Sequence, residues 1–200
     1  MRCLMCGKDK LQGSLLDMVM FDDPLCVDCR SEWKKKRNRF YLEGVLVESS
    51  YLYNDAFSSC LRQYKECNDE ALYNTFLFEE RRRLKMKYHN ASLLLMPSSK
   101  KKTEERGFSH LQKMFSCLGI EMIDVFYKSE DIEQKQLTSI EREAMKDRIH
   151  LKEDIVLPNN VVLVDDTITT GATLSGAYHC IKGKCKKVRI YTVSYNRSWL

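Results

Sequence analysis

No stretch of this 200-residue chain holds 18 consecutive apolar residues, so no membrane-spanning helix is expected. Met1-Arg2 leads straight into Cys3, with no apolar leader and no cleavage site. That sets the expectation of a cytoplasmic protein. Internal repeats and long low-complexity linkers are also missing. Neither sign of charge runs unopposed: 33 Lys and Arg face 28 Asp and Glu, a formal net charge of +5. This mild basic excess is compatible with an anionic partner without diagnosing one. The length allows one good-sized core, or one core with a small module attached.

Cysteine, by contrast, is plentiful. Four of the nine cysteines stand in the first 29 residues, as Cys3-x-x-Cys6 and Cys26-x-x-Cys29. The spacing fits a tetrahedral zinc site built from two knuckles. Four thiolates make a closed structural site, with no position for an activated water. Free thiols or redox disulfides are the alternatives. Gly7 suits the tight turn of the first knuckle. Cys60, Cys67, Cys117, Cys180 and Cys185 have no such spacing and read as small apolar residues. The basic stretch Trp33–Arg39 reads as a hinge, which divides the chain into a module over residues 1–39 and a main domain over 40–200.

Two phosphate-binding signatures are missing. There is no Gly-Lys-Ser/Thr of a Walker A loop, and no three-glycine dinucleotide fingerprint. What stands instead is Val161-Val-Leu-Val-Asp165-Asp166-Thr-Ile-Thr-Thr-Gly171-Ala-Thr173. The apolar run predicts a strand buried on both faces. The helical period from Leu174 to Ile181, stopped by Gly183, predicts a helix directly after the turn. Strand, small-residue loop and helix start together present N–H groups to an anion. Thr167, Thr169, Thr170, Gly171, Ala172 and Thr173 are the candidate phosphate cradle. Asp165 and Asp166 suit ribose hydroxyls, directly or through Mg²⁺. An ordinary strand–turn–helix with acidic surface residues is the plain alternative. This order of parts resembles the phosphoribosyl pyrophosphate (PRPP) loop of type I phosphoribosyltransferases.

Elsewhere, the pattern predicts strands over 44–53, 92–96, 120–127 and 188–195. Helices are predicted from Asp55 to about Lys65, after Asn68-Asp69, through 81–87, and after Thr103 or Ser109. Leu111, Met114, Phe115 and Leu118 form the buried stripe of that last helix. Thr138 with Glu141 makes a capping box for another. The alternation predicts an α/β fold with a mostly parallel sheet, whose ligands sit beyond the carboxyl ends of the strands.

With these pieces assembled, the chain resembles the ComF family, the ComFC competence proteins in particular. The resemblance rests on the four cysteines, Tyr64-Lys65, Pro97, Arg106-Gly107-Phe108, Gln134, Leu137, Glu141, Arg142 and the 161–173 loop. The chain departs from it at Ser109-His110, where the family has Asn-Gln, at Met145 in place of Asn, and at Lys128 in place of Arg. The resemblance implies a type I phosphoribosyltransferase-like domain behind a zinc module. It implies that Ser98, Ser99 and Lys100 occupy the pyrophosphate-loop position of a PRPP site, with Lys65, Lys128 or Arg106 to neutralise the leaving group. It further implies handling of single-stranded DNA in natural transformation, with the ComFA helicase-like ATPase as partner. Partners would recruit the protein to the inner face of the membrane.

Two functions follow. One is a DNA-handling competence protein that retains a PRPP and Mg²⁺ pocket. Nine Lys or Arg against two Glu over 81–106 offer it a DNA surface, with Arg81, Arg82, Lys85, Lys100 and Lys101 as candidate contacts. A solvated basic helix face explains the same residues. The other function is an active phosphoribosyltransferase with an unidentified acceptor. Nothing after Tyr195 is long enough to build a nucleobase hood.

Overall fold

The computed structural model describes residues 2–10, 23–128 and 149–199. Its main sheet has six strands: β1 Lys35–Leu42, β2 Val45–Leu52, β3 Ser92–Leu95, β4 Met122–Ile123, β7 Asn160–Ile168 and β8 Lys187–Tyr195. They lie in the order β1-β2-β8-β7-β3-β4. Every pairing is parallel except β1 with β2. This is the expected α/β architecture, a mostly parallel sheet with helices. A second, two-stranded antiparallel sheet pairs β5 Phe126–Lys128 with β6 Ile149–Leu151.

The centre of the sheet is apolar on both faces, as the run Val161–Val164 requires. On one face, Tyr88 and Phe115 meet Tyr191 edge-on at 6.3 and 6.1 Å. These rings come from α3 Arg81–Tyr88 and α5 His110–Phe115. Leu174, Ala177 and Ile181 are the buried stripe of α6 Ala172–Ile181. Phe57, Cys60, Leu61 and Tyr64 are that of α2 Asp55–Glu66. The Asn54 side chain caps α2 by accepting from the Phe57 N–H at 3.0 Å.

Four expectations change. The 33–39 stretch is no hinge. Trp33 is buried against Tyr51, Phe57 and Phe76, and from Lys35 onward the chain is the edge strand β1. The hairpin to β2 turns on Glu43 and Gly44, both at positive φ, as a two-residue turn that follows the sheet's twist requires. Of the two starts expected for the next helix, Ser109 is the N-cap of α5, while in place of a start at Thr103 there is a separate helix, α4 Lys100–Arg106. Thr103 lies inside it and donates back to the Ser99 carbonyl, while Gly107 at φ 80° ends it. The segment after Asn68-Asp69 is a 3-10 turn, Glu70–Thr75. The single strand expected over 120–127 is two short ones in different sheets, β4 and β5. Between them, Asp124 is bound by Lys152 rather than by a ladder. The Thr138 capping box, Gln134, Leu137, Glu141, Arg142 and Met145 lie outside the described residues.

Candidate functional site

The four amino-terminal cysteines converge. All four Sγ atoms lie within 4.8 Å of one another, and Cys6 and Cys26 are 3.7 Å apart. A tetrahedral ion with Zn–S bonds of about 2.3 Å separates its sulfurs by about 3.8 Å, so the cluster could hold zinc. The first knuckle closes with the Gly7 N–H on the Cys3 carbonyl at 2.9 Å, Gly7 standing at φ 69°. Burial pushes the Cys3 thiol up, but the N–H groups of Cys6, Cys26 and Met5 bring it down to about 6. Behind the site, Arg30 binds Asp23 through two bonds of 2.6 and 2.7 Å, both side chains buried, and lies 4.6 Å over Trp33. That stack ties α1, Val27–Ser31, to the main core.

The second site opens beyond the carboxyl ends of β3 and β7, where such sheets place ligands. It is a cavity of about 730 Å³ whose lining includes Lys65, Ser98, Ser99, Arg106, Asp165, Asp166 and Thr173. The structure therefore brings together residues read from three separate stretches of sequence. Lys100 lines a neighbouring 280 Å³ cavity that shares the wall Met96–Ser98.

Sequence reasoning missed the residue at the centre. His110 is buried, and its Nε2 lies 2.9 Å from Asp166 Oδ2, the oxygen that also accepts from Lys65 Nζ at 2.7 Å. Arg106 Nη1 approaches the other ring nitrogen, Nδ1, at 3.2 Å. A guanidinium only donates, so Nδ1 is the acceptor and Nε2 carries the hydrogen that goes to Asp166. Ser98 Oγ also lies 3.2 Å from Nδ1 and can donate to it, and burial lowers the pKa of the ring, so the surroundings favour its neutral form. Only the departure at Ser109-His110 marked the place in the sequence.

The two carboxylates are unlike. Both resist ionisation through burial, but Lys65 and His110 hold Asp166 well below the usual carboxylate range. Asp165 lacks those partners, and burial together with the Asp166 charge pushes it up to about 7. Mg²⁺ commonly takes one or two carboxylates plus phosphate oxygens. Among the described residues no third carboxylate or histidine joins this pair in a metal-binding group. The donor set thus fits a Mg²⁺ that arrives with a phosphate ligand.

The loop between β7 and α6 is shorter than the sequence implied, because β7 runs on through Asp165, Asp166 and Thr167 to Ile168. Thr167 bonds Ser194 at 2.7 Å. Thr169 and Thr170 are exposed, Ala172 begins the helix, and Thr173 faces the cavity. Gly171 at φ 81° is backed by protein: a Cβ there would meet Leu42 at 3.1 Å and Trp199 at 3.2 Å. Trp199 stacks on Phe40 at 4.6 Å and donates from Nε1 to the Thr169 carbonyl at 2.7 Å. The carboxyl-terminal segment and β1 therefore buttress the loop from behind.

The candidate DNA contacts do not form one patch. Arg81 lies 4.9 Å over the Phe78 ring. Lys85 borders a cavity with Asn90, Ser92 and Asn160, at the amino ends of β3 and β7. Lys100 and Lys101 follow the opposite end of β3, and Lys101 pairs with Glu105 at 3.9 Å. Arg82 and Lys85 flank the exposed Met86.

No family model matches the chain. Among solved structures, it is similar to a hypoxanthine phosphoribosyltransferase from Staphylococcus aureus, with 13% identity over 66% of each chain and a TM-score of 0.42. It is also similar to the adenine phosphoribosyltransferase from Saccharomyces cerevisiae, with 14% identity over 84% of this chain and 88% of that one, TM-score 0.42. Competence protein ComFC of Streptococcus pneumoniae is 27% identical over 203 residues, 88% of this chain and 90% of the relative. Competence protein ComFC of Bacillus subtilis is 28% identical over 224 residues, 96% of this chain and 93% of the relative. Over most of its length, therefore, the chain is similar to the ComFC competence proteins.

Proposed function

We propose that this protein serves natural transformation by handling incoming single-stranded DNA, and that it keeps a pocket for PRPP or a related ribose phosphate with Mg²⁺. The competence role is supported by the two relatives of that name, each matched over most of its length. The ComFA ATPase is the expected partner. No helix of the described residues is long and apolar enough to cross a membrane.

One observation carries the pocket: Asp165, Asp166, Lys65, Arg106, Ser98 and Thr173 line one cavity at the strand ends. Asp165 and Asp166 accept from the two ribose hydroxyls. The start of α6 receives the 5′-phosphate, and Ser98, Ser99, Lys65 and Arg106 receive the pyrophosphate. Bound Mg²⁺ would neutralise pyrophosphate charge between the carboxylates and the ligand. The cysteine cluster holds one structural Zn²⁺, which supplies folding energy to a module with little core of its own.

Binding is favoured over transfer to a base, because the described lining of the cavity includes no Phe, Tyr or Trp, and its one aromatic ring, His110, is already engaged by Asp166 and Arg106. The two readings separate on incubation with PRPP, Mg²⁺ and a panel of nucleobases. Ligand-induced thermal stabilisation without pyrophosphate release supports the binding role. Base-dependent pyrophosphate release makes the protein a phosphoribosyltransferase.

A further inference from the structure

Two basic stretches far apart in sequence meet on one side of the sheet. Lys35, Arg37 and Arg39 leave β1 toward α3, which brings Arg83 and Lys87. Three glutamates stand between them. Lys35 Nζ lies 3.1 Å from Glu79 and 3.3 Å from Glu80, and Arg37 Nη2 lies 2.9 Å from Glu80. Arg39 Nε lies 3.3 Å from Glu48, and Arg83 Nε lies 2.6 Å from Glu80. Arg83 Nη1 and Lys87 Nζ also bind Glu48. Glu48 and Glu80 are buried, and burial alone would push both toward protonation. The surrounding cations instead hold each of them below the usual carboxylate range. Five cations on three carboxylates leave positive charge in excess.

That excess faces solvent. The Arg37 and Arg39 side chains are 50% and 66% exposed although Arg37 holds Glu80 through Nε and Nη2 and Arg39 reaches Glu48 through Nε. Their remaining N–H donors are thereby held in fixed directions. The strand is regular from Asn38 to Leu42, where positions two apart lie roughly 7 Å apart on one face, comparable to successive phosphates in an extended single strand. A register shift between Lys35 and Asn38 interrupts the alternation, yet Lys35 and Arg37 still converge on Glu80. Tyr41 follows on that face, 70% exposed. Lys or Arg on an edge strand also discourages pairing with other chains. Edge protection does not call for buried glutamates that fix the guanidiniums, or for an exposed ring at the end of the row.

We infer that the β1 edge is the track for single-stranded nucleic acid: Lys35, Arg37 and Arg39 meet successive phosphates, and Tyr41 stacks on a base. This rests on the DNA-handling role proposed above and moves its surface away from the 81–106 segment. Backbone cations with a stacking ring are the combination that sequence-tolerant single-strand binding uses.

The test is fluorescence anisotropy with a labelled oligothymidylate, titrated at several salt concentrations. Arg37→Gln with Arg39→Gln leaves Lys35, Arg83 and Lys87 to satisfy the buried glutamates. This variant should lower the slope of log affinity against log salt by about 1.4, two contacts at about 0.7 each. Tyr41→Ala, at an exposed position, should weaken binding at least about fivefold with the slope unchanged. A slope that the double Gln variant leaves at the wild-type value, while Arg82→Gln with Lys85→Gln lowers it, overturns the proposal. So does oligonucleotide binding that all three variants leave intact, which would give the β1 edge to a protein partner. Wild-type protein that binds no oligonucleotide removes the DNA-handling role itself, and this surface with it.

Discussion

His110 donates from Nε2 to Asp166, 2.9 Å away, and the direction of that bond is set by Arg106 on the opposite side of the ring. These partners, together with burial, favour the neutral imidazole in the folded protein. Its folded pKa lies below the unfolded value of about 6.5, so its contribution is present above that pH and is lost as pH falls through the folded value. His110→Ala should remove this dependence. It should also cost roughly 1.5–3 kcal/mol at pH 7.5 through the lost charge-assisted bond. Urea unfolding at several pH values from 5 to 8 measures both effects.

Asp165 has the opposite sign. Its folded pKa, pushed up to about 7, lies above the ordinary value of about 3.9. The stability this shift provides is present below about pH 4 and is lost as pH rises through 7. Asp165→Asn should therefore raise stability at both pH values, by roughly 2–3 kcal/mol more at pH 8 than at pH 5. Because His110 and Asp165 slope against each other, unfolding of the single variants separates what the wild-type profile blends. A stabilisation by Asp165→Asn that is equal at both pH values would contradict the assignment.

Most of the scaffold was legible because its signals are local. The run Val161–Val164 shows a buried strand, the period from Leu174 to Ile181 shows the helix after it, and two Cys-x-x-Cys pairs mark the four-cysteine cluster. The ion pairs were not legible. Glu48, Glu79 and Glu80 carry no motif, yet they turn the basic runs of 35–39 and 81–87 into one clamped network. His110 was hidden for the same reason. Its partners Asp166 and Arg106 reach it through tertiary packing, and no spacing rule joins 110 to 166. β1 was misread as a hinge because an edge strand with one charged face has the composition of a linker.

Gly171 offers a prediction on the loop's support. A side chain there would meet Leu42 and Trp199 and would also have to adopt φ 81°. Gly171→Ala should cost about 1–2 kcal/mol from the left-handed backbone alone, with packing strain added. Trp33 is buried in the core, so a change in tryptophan emission should come from Trp199 leaving Phe40. A variant with unchanged melting temperature and emission would mean that the loop is not held from this side.

For the cysteine cluster, one Zn²⁺ per chain is expected in protein purified without chelator. Cys26→Ser should lose it and expose the backbone of residues 2–10 and 23–32 to hydrogen exchange. Trp33 packs into the main core, so a fall of a few degrees in the main transition should accompany the loss. Metal analysis without zinc would contradict the assignment.

The central claim is that the cavity beyond the carboxyl ends of β3 and β7 still takes a ribose phosphate. Calorimetric titration with PRPP and Mg²⁺ tests it most directly, comparing wild type with Asp165→Asn/Asp166→Asn. The prediction is saturable heat with wild-type protein, together with a higher melting temperature, and at least tenfold weaker binding by the double variant. No heat and no stabilisation at millimolar PRPP would make the loop a remnant of the fold. Binding that the double variant retains in full would contradict the role given to the two carboxylates.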